Sequence, residues 1–124
     1  MRSERLYLLD LIEAIDLAER FLLGVDEEAF VANELVSAAV AQKFIIIGEA
    51  GRLLRDRLSD HYPDVAWNQA VSMRNLVVHN YFSVDRHIVY QTAKHDLPVL
   101  RAQMRNILVA EYPDAERSQS PESK

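Results

Sequence analysis

A chain of 124 residues, 49% of them apolar, can bury roughly two-thirds of the surface its unfolded form exposes, so one domain with its own core is expected. It has no cysteine, which excludes disulfides and thiolate metal ligands and fits a reducing cytoplasm; no apolar run approaches the roughly 20 residues of a membrane span, so no membrane partner is expected. The net charge of −5 argues against a long nucleic-acid duplex as partner, but residues 35–110 carry nine basic and six acidic side chains, and Arg52, Arg55, Arg57 and Arg74 there can form a local basic surface suited to a short RNA contact, unless they are merely solvated helix faces.

Leu6, Leu9, Ile12, Ile15, Ala18, Phe21 and Leu22 recur at three- and four-residue steps, which predicts an amphipathic helix from about Ser3 to Leu23, closed by Gly24. Asp26-Glu27-Glu28 opens a short turn that ends near Ala32. Asn33 then caps a long helix to about Leu58. Its centre, Phe44 to Gly51, is apolar nearly all round, and Gly48, Ala50 and Gly51 are small enough to admit a second backbone, from this subunit or another. Pro63 breaks the chain, and a third helix is expected from Trp67 to Asn80. Ser83 or Asp85 caps a fourth towards Lys94. Pro98 ends or kinks it, with Asp96 as a new cap, and a last helix reaches about Glu111. A domain over residues 1–112 is expected, followed by a disordered tail over 113–124 rich in Ser and charge. No alternating strand pattern survives, so the fold class is all-α, an antiparallel four- to five-helix bundle.

The helix from Trp67 carries the functional signal. On a wheel with Arg74 at zero, Trp67, Ala70, Val71, Val77, Val78 and Tyr81 fall within about 60° of it, so an arginine stands in the middle of an apolar stripe. A permanent charge there needs acceptors, a wet cleft or an anionic ligand. A structural arginine paired with Asp10 or Glu49 would also answer the pattern. His79 lies about 140° around from Arg74, and two side chains so placed on one ideal helix cannot converge on one atom; convergence requires the helix to end at His79 or a second copy of the motif to face the first. By itself His79 reads as a C-terminal capping residue, Tyr81 as a core aromatic, and Asn75 as a surface amide.

Arg74-Asn75-Leu76-Val77-Val78-His79-Asn80-Tyr81 also reads as Arg-x4-His-x-Tyr. Together with Ile47-Gly48-Glu49-Ala50, Pro63 before Trp67, Met73 before Arg74, Tyr81-Phe82 with Asp85, and Asp96-Leu97-Pro98, it resembles HepT, the HEPN-domain toxin paired with a minimal nucleotidyltransferase antitoxin. The likeness spans about residues 6 to 110. It implies a HEPN-like fold and a cytoplasmic, cofactor-free and metal-independent endoribonuclease toxin of a type VII-like toxin–antitoxin system. It further implies a homodimer in which two copies of the motif meet in a cleft. Arg74 would then hold the phosphate, His79 would move protons during attack by a ribose 2′-hydroxyl, alone or with its copy across the dimer, and Asn75 would orient the histidine or the phosphate. Tyr81 matches the tyrosine on which the antitoxin of that family places AMP.

Other patterns are weaker. His79, His87 and His95 recur every eight residues, but 87 and 95 lie about 80° apart on a helix and no second carboxylate or thiolate completes a metal set. His61 reads as a loop residue, and the acidic face Asp10, Glu13 and Asp16 as solvated, or as a dock for a basic partner. The second functional reading is a non-catalytic module that binds a nucleotidyltransferase or a nucleotide; the third is a structural helical dimer.

Overall fold

The computed structural model describes residues 3–78 and 85–113. Among these residues the chain forms six helices and no strand: α1 (Glu4–Phe21), α2 (Glu27–Ala32), α3 (Glu34–Leu58), α4 (Trp67–Val78), α5 (Arg86–His95) and α6 (Leu97–Glu111). The all-α bundle expected from the sequence is therefore the observed fold. The segment read as a turn before Ala32 is a short helix of its own.

Local chemistry sets most of the boundaries. The side chains of Ser3, Asp26, Asn33 and Asp85 accept hydrogen bonds from the first free amides of α1, α2, α3 and α5, and such caps each contribute about 1 kcal/mol. Gly24, after α1, takes φ +72, a left-handed conformation that ends helices at low cost only for glycine. Pro98 sits in the first turn of α6, and Asp96 precedes that helix without a side-chain capping bond. A proline there removes an amide that has no helical partner anyway.

Neighbouring helices run antiparallel, as the residue pairs between them show. Gly48, Gly51 and Arg55 of α3 face Arg74, Ala70 and Asn68 of α4 in reversed order. Arg57 near the end of α3 lies over the Tyr7 ring near the start of α1. Arg101 of α6 pairs with Asp16 and Glu19 of α1, and Tyr112 after α6 reaches back to Glu4. Leu8, Leu11 and Ile15 of α1, Phe44, Ile47 and Leu54 of α3, and Leu97, Met104 and Ile107 of α6 fill the space between them. Each such side chain contributes about 1.5–3 kcal/mol on leaving water.

The turn before α4 is pinned at both ends. The Trp67 indole donates to the Tyr62 carbonyl at 2.9 Å, the Ala66 amide donates to Gln103 at 3.2 Å, and the Tyr62 hydroxyl donates to Glu111 at 2.5 Å. That bond to a carboxylate raises the Tyr62 phenol above its ordinary range. These contacts fix where α4 starts, and so where Arg74 comes to lie.

Candidate active site

α4 reaches the site across a close helix crossing. A Cβ added at Gly48 would lie 2.2 Å from the Cβ of Arg74, and one at Gly51 would lie 3.0 Å from the Cβ of Ala70. The small residues of α3 thus serve packing within the subunit, and they let α4 sit down on α3 at the position of Arg74 itself.

The stripe that α4 buries is not centred on the arginine. Trp67, Ala70, Met73 and Val77 are buried, whereas Val71, Arg74 and Val78 are half-buried. Met73 lies about 100° from Arg74, and its burial turns the centre of the stripe away from Arg74. The expectation of an arginine in mid-stripe is corrected accordingly: Arg74 stands on the margin. Its stem packs against α3 and its guanidinium emerges at the rim, an arrangement that long cationic side chains adopt readily.

At the rim the Arg74 Nε donates to Glu49 Oε1 at 3.1 Å and its Nη1 donates to Asn75 Oδ1 at 3.4 Å. The Arg74 side chain remains 38% exposed and that of Glu49 47%. Of the two carboxylates considered from the sequence, Glu49 is the partner; Asp10 lies on the α1–α6 face beside Arg105. Arg52 approaches the other Glu49 oxygen at 4.0 Å. Arg55 contacts Asp56 at 3.4 Å and the Asn68 carboxamide at 3.3 Å. Three of the four arginines singled out from the sequence therefore share the α3–α4 face, while Arg57 turns to Tyr7 of α1. Asn75 is exposed beside Arg74. His79 and Tyr81 lie outside the described residues.

A second polar cluster, which the eight-residue histidine spacing only hinted at, joins α2 to α5. His87 Nδ1 lies 2.7 Å from Glu27 Oε2, Gln91 donates to the other Glu27 oxygen, and His95 Nε2 lies 2.8 Å from Gln91 Oε1. The bonds from His87 and then Gln91 hold the Glu27 carboxyl below its ordinary value. The two histidines are linked through other side chains and converge on no common point. His61 lies in the exposed turn after α3.

The α3–α4 face brings a half-exposed guanidinium, braced by a carboxylate and a carboxamide, to a surface where an anion can reach it. Such a planar fork suits phosphate oxygens. Among known proteins, the chain is 32% identical over 106 residues to "Probable ribonuclease HepT" of Thermococcus cleftensis, covering 86% of this chain and 96% of that one. It is 28% identical over 103 residues to "Putative RNase MJ1380" of Methanocaldococcus jannaschii, covering 83% and 94%. A similar match, 28% over 111 residues covering 90% and 99%, is to "Putative RNase TTE0752" of Caldanaerobacter subterraneus. No solved structure matches. The family model described as ribonuclease HepT-like matches residues 11–107, and the chain belongs to that family, whose membership supports the enzyme class expected from the sequence, an endoribonuclease.

Proposed function

We propose that this ribonuclease cuts RNA without a metal ion, as a homodimer in which Arg74 of one protomer and His79 of its partner act on one phosphate. The observation that carries the reading is the placement of Arg74, fixed in position by the crossing at Gly48 yet 38% exposed and held by Glu49 and Asn75. The Glu49 contact alone would suit a purely structural arginine. A structural pair gains little from a half-exposed rim position, where an ion pair contributes at most about 1 kcal/mol.

In the proposed reaction the 2′-oxygen of a ribose attacks the adjacent phosphorus and the bond to the 5′-oxygen breaks. The products are a 2′,3′-cyclic phosphate and a free 5′-hydroxyl. His79 takes the proton from the 2′-hydroxyl or returns one to the leaving oxygen, a task suited to imidazole, which can change charge near neutral pH. Arg74 binds the phosphate oxygens as negative charge gathers on them, and Asn75 keeps the guanidinium turned outward. DNA lacks the attacking hydroxyl and is not a substrate.

The same reading extends to control. The chain is the toxin of a type VII-like toxin–antitoxin pair, and a minimal nucleotidyltransferase silences it by placing AMP on Tyr81. The added phosphate would occupy Arg74 by charge and the site by size. Cleavage of single-stranded RNA in the presence of EDTA tests the chemistry. His79→Ala is expected to lower the rate by about 10²–10⁴-fold with the fold intact. Equal rates in the variant and the parent would remove His79 from the chemistry, and no cleavage by either would instead favour a non-catalytic module that docks a nucleotidyltransferase or a nucleotide.

A further inference from the structure

The contact between Arg74 and Asn75 has a counterpart farther along the same helix. Arg55 Nη1 donates to the Asn68 carboxamide at 3.3 Å, as Arg74 Nη1 donates to that of Asn75 at 3.4 Å. Asn68 and Asn75 are seven residues apart, within about 20° of one another around α4 and about 10 Å apart along it. Ser72 lies between them, and all three are exposed. From Trp67 to Val78 the helix carries no acidic residue, so the strip between the two guanidinia has nothing on its own element to repel a phosphate chain. Arg55 meets Asp56 through its Nε, with both side chains substantially exposed, a pairing too weak to cancel its charge.

We infer that Arg55 and Asn68 form a second phosphate-binding station, which holds the RNA strand one or more nucleotides away from the phosphate that Arg74 engages. The inference rests on the reading of Arg74 as a phosphate ligand. The strand lies along the outer face of α4, with the carboxamides of Asn68 and Asn75 turning the two guanidinia toward it. The Asn68 and Asn75 amides and the Ser72 hydroxyl offer hydrogen bonds to sugar or base edges between the stations. Arg55 is a binding residue in this scheme and takes no part in bond breaking.

The test is equilibrium binding of the full chain to a single-stranded, fully 2′-O-methylated RNA of about ten nucleotides, measured across a range of salt concentrations. Methylation removes the attacking hydroxyl, so the measurement is independent of whether His79 carries the cleavage. Each phosphate contact to a single strand contributes about 0.7 to the slope of log affinity against log salt. Arg55→Gln is expected to weaken binding and to reduce that slope by about 0.7, with thermal stability unchanged. Arg55→Lys, which keeps the charge, is expected to restore the slope. Arg20→Gln, on the α1–α6 face, removes the same charge and should leave the slope as it was. A parental slope in Arg55→Gln, or an equal loss in Arg20→Gln, overturns the second station. Arg74→Gln in the same titration separates the two levels. A lost contact there, with none lost at Arg55, overturns only the station, whereas no loss at Arg74 overturns the reading beneath it as well.

Discussion

Arg74 enters the bundle over Gly48 and its guanidinium leaves again at the rim, where Glu49 lies 3.1 Å from Nε. Because both partners are partly exposed, Glu49→Gln is expected to change the unfolding free energy by less than about 1 kcal/mol. RNA cleavage should fall nonetheless, because the guanidinium loses the charged acceptor that sets its direction; denaturant titration beside a rate assay separates the two effects. Arg74→Lys should not restore the activity lost in Arg74→Ala, since an ammonium is a point charge without the planar fork. The pairing with Glu49 was one of two alternatives legible in the sequence. The marginal position of Arg74 was not, because a wheel weights apolar residues by type and cannot tell that Met73 is buried while Val71 and Val78 are only half-buried. Nor does spacing within α4 reveal that Asn68 and Arg55 meet, since that contact depends on how α3 crosses it.

At the scale of helices, the α3–α4 crossing leaves no room for a methyl group at position 48. Gly48→Ala is expected to lower stability by about 1–3 kcal/mol, the usual range for overpacking, and to displace Arg74 with α4. Gly51→Ala, whose added carbon would lie 3.0 Å from another Cβ, should cost less; melting curves of the two variants give the order. The α2–α5 contact adds a dependence on pH. The folded Glu27 carboxyl sits below its ordinary value of 4.5, so its stabilising contribution is complete above that value and is lost as pH falls through the folded pKa. Protection of the α2 amides, taken relative to their intrinsic exchange rate at each pH, is expected to fall in acid below that range, and Glu27→Gln should abolish the change. Caps make the helix ends readable: Asn33 stands before an apolar run, and its side chain accepts from the Val36 amide. The turn at Asp26 is a six-residue helix because Phe30 is fully buried and packs at a tilt against Tyr90, a tertiary contact that local propensity does not encode.

Over the whole molecule, each long face carries both signs, Arg20 and Arg105 on the α1–α6 side and Glu49 and Asp56 on the α3–α4 side, but the balance differs between them. Asp10, Glu13 and Asp16 line the α1–α6 side, while Arg52, Arg55 and Arg74 share the α3–α4 side. An acidic protein can thus present a local cationic surface, and the distribution of charge describes its partner better than the total of −5 does. The helical class and the order of the five longer helices followed from periodicity and breakers, while α2 did not. Which faces meet did not, because that is decided where small residues allow two backbones to approach. The site itself is proposed to be assembled from two protomers, as the likeness to the family implies; residues about 140° apart on one continuous helix would not grip one phosphate from a single subunit, and the described part of α4 ends at Val78. Mixing inactive Arg74→Ala and His79→Ala proteins, after a step that lets subunits exchange, addresses that proposal most directly. Mixed dimers hold one site with an intact Arg74 from one chain and an intact His79 from the other, and RNA cleavage should return. Verified mixed dimers that stay as inactive as either parent would contradict the composite site.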